Sequence, residues 1–247
     1  MTTKSHAAYV RRALLISPRA WFYTGGASRA FVIFVPLALA LLALFASQSG
    51  LDRLVTDLFY DASRARFPLR DSEWLELFGH RAAKYAIWII ALGILVIAFG
   101  SERSRVGDHE RRAVGLALLA MALGPMIVAA LKHTTGHHCP VDLRLYGGFA
   151  DASHAWFVAP IDAGHCFPSG HASAGYTLFA LYFLGHALDR PRLARTGLFS
   201  AIVVGTAFSA VRVVQGAHFF SHNLWAAMID WCAAALAFNS LLRGKRA

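Results

Sequence analysis

Apolar residues along the chain fall into runs that come close to the ~20 residues a helix needs to cross a bilayer. Six such runs can be distinguished, at 30–47, 83–100, 113–131, 171–187, 197–213 and 223–242. The run 171–187 is the least hydrophobic of them. The pattern predicts an all-α protein whose core is a bundle of six transmembrane helices.

The two long connections between these runs differ in character. In the loop 48–82, apolar residues recur at spacings of three and four within Leu51–Tyr60 and Ser72–Phe78, which predicts short helices. These helices would either lie at the membrane interface or cap the bundle. The loop 132–170 is rich in His, Asp and aromatic residues. Long loops without regular structure tend to be functional or disordered, and this one is too aromatic for disorder.

Composition and charge support a membrane location. The chain is 57% hydrophobic and 15% charged, against about 25% charged in an average soluble domain. Its net charge of +10 would suggest nucleic acid in a soluble protein. Here the Lys and Arg residues are concentrated in the loops on one side of the predicted membrane. We therefore expect the partner to be the bilayer rather than a nucleic acid. The loops on the side of the two termini hold 15 of them, and the opposite loops hold 8.

This asymmetry predicts that both termini are cytoplasmic. We therefore divide the chain into a cytoplasmic N-terminal segment 1–29, a membrane domain 30–242 and a basic cytoplasmic tail 243–247. The loops 48–82, 132–170 and 212–222 then face outward. The compact loops and short tails suit a bacterial inner membrane, with these three loops in the periplasm.

Three polar clusters stand at the predicted outward ends of the runs. They are Lys132–Pro140 after the third run, Cys166–His171 before the fourth, and Arg212–His222 between the fifth and the sixth. Charged residues at membrane depth are costly and usually have a function or a partner. Because the topology places all three clusters on one side, we expect them to form one site.

The residue types in these clusters suit a phosphate ester. Lys132 and Arg212 supply cations for its oxygens, and an arginine can bind two oxygens at once. Pro168–His171 is typical of the start of a helix, whose first amides point toward bound anions. Gly170 lets a phosphate approach the backbone, and Ser169 adds a hydroxyl.

Two histidines of the clusters could perform the chemistry. Of His171 and His218, one can attack phosphorus and form a phosphohistidine, and the other can protonate the leaving alcohol. Histidine suits both roles because its ordinary pKa lies near neutrality.

The clusters resemble the motifs of the type 2 phosphatidic acid phosphatase superfamily, membrane lipid phosphatases related to vanadium haloperoxidases. The family pattern is Lys-x6-Arg-Pro, then Pro-Ser-Gly-His, then Ser-Arg-x5-His-x3-Asp. The resemblance implies that His218 is the nucleophile and His171 the acid and later the base. It also implies that Lys132, Ser169, Gly170 and Arg212 bind the phosphate, without a metal or other cofactor.

The implied substrate is a phosphorylated membrane lipid. An outward site suggests lipid A, undecaprenyl pyrophosphate, phosphatidylglycerophosphate or phosphatidic acid.

The chain departs from the family pattern at three positions. Cys139 replaces the Arg of the first motif, Val211 replaces the Ser of the third, and His222 replaces the Asp that orients the nucleophile. In a serine protease triad, loss of the orienting Asp costs about 10⁴ in rate. Residues that could compensate are Arg144 for the lost cation and Asn223, His222, Asp142 or Asp162 for the lost Asp.

Several alternatives remain open from the sequence. Cys139 and Cys166 lie in the same predicted outward loop, where they could form a disulfide or remain free thiols. The protein could be a diverged, non-catalytic binder of a lipid phosphate, or it could transfer the phosphoryl group to a second lipid. It could also bind a metal through its predicted outward histidines, His80, His133, His137, His138, His154, His165, His171, His218 and His222. Among these, His133/His137 and His218/His222 have the i,i+4 spacing with which a helix can hold one ion.

Overall fold

The structure is a computed structural model that describes residues 29–77, 83–99 and 107–244. These residues contain α helices and no β strand. The helices are α1 (Arg29–Gln48), α2 (Leu51–Asp57), α3 (Glu73–Glu76), α4 (Ala83–Phe99), α5 (Asp108–Lys132), α6 (Gly170–Tyr176), α7 (Phe179–Ala187), α8 (Pro191–Val214) and α9 (Phe220–Gly244). Three 3₁₀ turns lie between α5 and α6, at Pro140–Asp142, Arg144–Tyr146 and Pro160–Asp162.

Each of the six apolar runs lies on helix, as the hydrophobic pattern predicts. Among the described residues, three helices are long and apolar enough to cross a membrane, namely Ala30–Gln48, Asp108–Lys132 and Pro191–Val214. These helices indicate a membrane protein. The count of six spans exceeds these three helices and stays a prediction. The cytoplasmic placement of 1–29 and 243–247 also stays a prediction, and most of these residues lie outside the described part of the chain.

The fourth run is divided into α6 and α7. At the junction, the amides of Leu178 and Ala180 bond to carbonyls three residues back, a tighter pattern than that of an α helix. Thr177 at this break donates its hydroxyl to the carbonyl of Met121 in α5, at 2.8 Å. That carbonyl needs an outside donor because Pro125, four residues on, has no N–H. The Thr177 hydroxyl at the break between α6 and α7 therefore provides the hydrogen bond that the Met121 carbonyl of α5 lacks within its own helix.

The core is built around Trp231 of α9, whose side chain is fully buried. Its ring packs against Phe179 and Phe183 of α7, and its indole N–H donates to the carbonyl of Val32 in α1 at 3.0 Å. Helix α9 packs mainly against α1 and α5, and α8 packs against α6 and α7. Asp230, next to Trp231, lies against Gly124 of α5.

Helices α6 and α8 approach each other unusually closely at Gly175 and Gly205. A Cβ atom on Gly175 would lie 2.6 Å from the Cα of Gly205, so neither helix could keep its position with a larger residue there. Small residues of this kind let helix backbones meet within a membrane. The contact fixes the N-terminus of α6 relative to the C-terminus of α8.

Helix α2 caps the end of the bundle at which α9 begins. Asp52 accepts hydrogen bonds from both the amide and the hydroxyl of Ser221, in the first turn of α9. A carboxylate at this place satisfies an amide that has no partner within the helix. The two short helices predicted for the loop 48–82 are present as α2 and α3, and Leu54 and Trp74 on them are 63% and 71% exposed.

Candidate functional site

The ends of four helices meet on this side of the bundle, and each carries one of the predicted residues. Lys132 is the last residue of α5, His171 lies in the first turn of α6, and Arg212 lies in the last turn of α8. His218 stands in the turn that leads into α9. The three sequence clusters are thus brought together by helices that are distant along the chain.

The turn between α8 and α9 places His218 beside Arg212. The carbonyl of Arg212 accepts hydrogen bonds from the amides of Ala217 and His218, at 2.9 and 3.3 Å. This turn requires Gly216, whose φ of 66° lies in the left-handed region. A Cβ atom on Gly216 would also lie 2.5 Å from the ring of Phe67.

His218 is buried, with 3% of its surface exposed. Burial lowers the pKa of His218 well below its ordinary value, and Lys132, His222, Arg212 and His171 lower it further. At neutral pH the imidazole is therefore uncharged, which is the form that can attack phosphorus.

The sequence did not identify the group that contacts the second ring nitrogen of His218. Nδ1 of His218 lies 3.4 Å from Sγ of Cys166, and Cys166 is joined to Cys139 in a disulfide. A sulfur atom, which is only a weak acceptor, therefore stands beside the nitrogen for which the family pattern provides a carboxylate. With Nδ1 held in this way, Nε2 is the nitrogen left for a substrate.

The residues suggested as replacements for the orienting Asp lie elsewhere. The ring of His222 has its centroid 5.9 Å from that of His218 and lies within hydrogen-bonding reach of the Cys166 carbonyl. Asn223 donates its amide to the carbonyl of Phe219 at 2.9 Å. Asp162 is exposed in the third 3₁₀ turn, and Asp142 lies in the first. The carboxylates proposed from the sequence thus do not provide the Nδ1 contact, because the loop turns them away from it.

Lys132, Gly170 and Ser169 lie together at the start of α6. A Cβ atom on Gly170 would be 3.7 Å from Nζ of Lys132, so the ammonium group lies directly above this glycine. Ser169 is fully buried and caps α6 by accepting the amide of Ala172 at 3.4 Å. Its own amide donates to the carbonyl of His222 at 3.2 Å, which ties α6 to α9.

Arg212 is held by two residues that the sequence did not single out. Its Nη1 donates to Oε1 of Gln215 at 2.9 Å, and Glu76 attracts its positive charge. Gln215 is itself fixed by donating to the carbonyl of Arg70 at 3.4 Å. Nε of Arg212 is buried and has no hydrogen-bond partner among the described residues. The guanidinium is therefore positioned by the protein and still has a donor to offer.

Arg144 does not replace the cation that is lost at Cys139. Its side chain is exposed, and its Nε donates to the carbonyl of Phe149 at 3.2 Å and lies 3.7 Å from Asp151. The amide of Arg144 also donates to the carbonyl of Ala150 at 2.8 Å, so its backbone and its side chain both bond within this loop.

The metal alternative was supported by the i,i+4 spacing of two histidine pairs, and neither pair lies on one helix. Helix α5 ends at Lys132, so His133 and His137 are not neighbours on a helix face. Helix α9 begins at Phe220, so His218 precedes the helix that carries His222. The i,i+4 argument therefore does not apply to either pair.

A cavity of about 300 Å³ adjoins this site on the side of His222. His137 lines it and stacks on Phe167, with ring centroids 4.6 Å apart. Trp156 and Trp225 complete an aromatic wall. Burial, together with the nearby His154, lowers the pKa of His137 to about 4.

Replacing His137 with phenylalanine is expected to weaken the dependence of stability on pH. Between pH 6.5 and about 4, unfolded chains take up a proton at His137 and the folded protein does not. In this window the free energy of unfolding of the wild type should decrease with falling pH, by up to about 1.4 kcal/mol per pH unit from this residue. The variant should lose this contribution to the pH dependence of the free energy of unfolding. Denaturant unfolding in detergent at several pH values measures it. His133→Phe, at an exposed position, is the control, and an equal slope in wild type and H137F would contradict the prediction.

The comparisons with known proteins identify the family. The model of the PAP2 superfamily matches residues 113–246, which is more than half of the chain and includes Lys132, the Pro168–His171 segment, Arg212 and His218. No curated protein and no solved structure matches the chain significantly. The described helices, the apolar spans and the family match agree with one another, and the chain belongs to the PAP2 superfamily.

Proposed function

We propose that the protein is an integral membrane phosphatase that hydrolyses a lipid phosphomonoester or pyrophosphate through a phosphohistidine. The observation that carries the proposal is the environment of His218. Its buried imidazole is uncharged and lies within electrostatic reach of Lys132, Arg212 and His171. A nucleophile, two cations and a second histidine are what a metal-independent phosphoryl transfer needs.

In this proposal, Lys132, Arg212 and the start of α6 bind the phosphate oxygens. Lys132 supplies a point charge above Gly170, and Arg212 supplies its unpartnered Nε. Gly170 has no side chain to keep the phosphate from the first amides of the helix. Because Gln215 and Glu76 hold Arg212 before substrate arrives, little of its freedom is lost on binding.

The reaction proceeds in two steps. Nε2 of His218 attacks phosphorus, forming the P–N bond as the bond to the leaving oxygen breaks, while His171 gives that oxygen a proton. His171 then removes a proton from water, which attacks phosphorus and breaks the P–N bond. Inorganic phosphate leaves, and both histidines return to their first state. Throughout, the Nδ1 proton of His218 points to the sulfur of Cys166.

The substrate we propose is a lipid because the site lies at the ends of apolar helices. A headgroup could reach Lys132 and Arg212 at the interface while its acyl chains stay beside α1, α5 or α8. The distribution of Lys and Arg supports a periplasmic site in a bacterial inner membrane, with both termini cytoplasmic. Lipid A, undecaprenyl pyrophosphate, phosphatidylglycerophosphate and phosphatidic acid are the candidate substrates, and a second lipid could replace water as the acceptor.

A second candidate function is binding of a lipid phosphate without catalysis. It is favoured by the sulfur that stands beside Nδ1 of His218, where the family pattern has a carboxylate. Without a strong acceptor there, the imidazole is oriented less firmly and the positive charge it acquires on attack is stabilised less. The same cations would still hold the phosphate.

A phosphate-release assay distinguishes the phosphatase from the non-catalytic binder. The purified protein is given a panel of lipid phosphates, and the inorganic phosphate released is measured. We expect release that persists with a chelator. Arg212→Met should reduce kcat/KM by about 100-fold or more, because a preorganised donor to the developing charge is lost. Arg144→Met removes an arginine that faces Phe149 and Asp151 and should retain wild-type activity. Lipid binding without release from any member of the panel would support the non-catalytic binder, and release that a chelator stops would contradict the metal-independent mechanism.

A further inference from the structure

Three potential metal ligands meet at the inner side of the proposed site. Sγ of Cys139, Sγ of Cys166 and a ring nitrogen of His218 all lie within 4.8 Å of one another. Zinc binds cysteine sulfur at about 2.3 Å and histidine nitrogen at about 2.0 Å, so a tetrahedral site separates S and N by about 3.5 Å. The distance between Sγ of Cys166 and Nδ1 of His218 is 3.4 Å. One edge of such a site is therefore already formed, and only the disulfide keeps the two sulfurs from acting as ligands.

We propose that reduction of the Cys139–Cys166 disulfide creates a site for a thiophilic divalent cation such as zinc, and that the bound cation switches His218 off. The metal site depends only on the three ligands and not on the proposed reaction. The inactivation rests on the proposed function, in which His218 is the nucleophile.

The chemistry of the switch balances with a dithiol as the reductant. The dithiol transfers two electrons and two protons to the disulfide, which becomes two thiols while the dithiol becomes a cyclic disulfide. The cation then displaces the two thiol protons and accepts the lone pair of Nδ1. Cys139 is partly exposed, so a reductant can reach its sulfur, whereas Cys166 is fully buried.

Binding at Nδ1 changes the tautomer of His218. In the proposed reaction Nδ1 carries the proton and Nε2 holds the lone pair that attacks phosphorus. A cation on Nδ1 places the proton of the neutral ring on Nε2, where no lone pair is then available for attack. The cation would thus inactivate the nucleophile without occupying the place of the phosphate.

The neighbouring cations are compatible with this site. Lys132 and Arg212 would repel a bare dication beside His218. Two thiolates cancel the charge of the dication, so the complex is neutral and is not repelled. The histidine pairs considered from the sequence provide no such compensation.

Cobalt binding to the same protein sample in two redox states tests the proposal. The purified protein is titrated with Co²⁺ before and after reduction by a phosphine, which leaves no competing thiol. We expect one equivalent of Co²⁺, with thiolate-to-cobalt charge-transfer absorption, in the reduced protein and none in the oxidised protein. The double variant Cys139→Ser/Cys166→Ser should lack this absorption, whereas Cys232→Ser, at a cysteine in α9, should keep it. His218→Ala should bind cobalt at least about tenfold more weakly, since one of three ligands is lost.

Several results would overturn the proposal. Cobalt absorption of equal strength in both redox states, or its retention in the double variant, would place the metal elsewhere. Absence of cobalt binding after complete reduction would show that the three ligands do not form a site. The spectra need no turnover, so they test the metal site even if the protein is not a phosphatase. If it is one, zinc should abolish phosphate release by the reduced protein, and a chelator should restore it.

Discussion

Replacing His218 with alanine is expected to abolish phosphate release, with a loss of about 10⁴-fold or more, as when the nucleophile of another covalent mechanism is removed. The physical reason is that the uncharged imidazole of His218, within electrostatic reach of Lys132, Arg212 and His171, supplies the lone pair that attacks phosphorus. The loss should be equally complete for a lipid phosphate and for an aryl phosphate, because both need the nucleophile. Initial rates of phosphate release measure it.

The matched control for this variant is His154→Ala. His154 lies in the loop 132–170, and its side chain is exposed. Wild-type activity in His154→Ala, together with unchanged unfolding of both variants, would assign the loss to the missing nucleophile. Residual activity of His218→Ala within tenfold of wild type would refute the phosphohistidine mechanism. Binding of a non-hydrolysable lipid phosphonate should persist, because Lys132 and Arg212 remain.

Replacing His171 with alanine is expected to give a loss that depends on the leaving group. With a lipid phosphate, whose alcohol is a poor leaving group, loss of the general acid should cost about 10²- to 10⁴-fold. With an aryl phosphate the leaving group departs without a proton, so formation of the phosphohistidine should be nearly unaffected. Hydrolysis of the intermediate should still be slow, because His171 is also the base that activates water.

The intermediate itself provides the measurement. In His171→Ala, a ³²P-labelled aryl phosphate should leave acid-labile, base-stable label on the protein, accompanied by a burst of phenol equal to the enzyme concentration. The double variant with His218→Ala should carry no label. Equal losses with both substrates and no trapped label would show that His171 binds phosphate rather than moving protons.

Two of the three departures from the family pattern, the loss of the Arg at position 139 and of the Asp at position 222, are connected in the structure. Cys139, in place of a phosphate-binding arginine, is joined to Cys166, and the sulfur of Cys166 contacts the nitrogen that an Asp would contact. The site has therefore lost one cation and one carboxylate, of opposite charge. Their removal together changes the net charge of the site little, which is consistent with retention of phosphate binding. Orientation of His218 depends instead on the disulfide and on the turn at Gly216.

The helices could be predicted from the sequence, and the residues proposed for the phosphate site were also chosen from it. Helix formation in the apolar runs depends on local patterning, which a sequence displays directly. The spacing of Arg212 and His218 is likewise local, because one helix end and one turn set it. Lys132, Ser169, Gly170 and His171 were identified as members of the site, since residue type and helix ends indicate anion binding.

Other features depended on contacts between segments that are distant along the chain. The contact of Cys166 with His218 joins residues 52 positions apart, and Asp52 caps α9 across 169 positions. No periodicity encodes such contacts, because they arise only when helices pack. For the same reason the sequence could propose Arg144 as a substitute cation but could not show that its loop turns it toward Phe149. By itself, then, the sequence determined an α-helical membrane protein of this superfamily, and it supplied the residues that we propose for a phosphate site. The tertiary packing decided that Sγ of Cys166 lies beside Nδ1 of His218, because segments far apart in the chain supply the two sides of this contact.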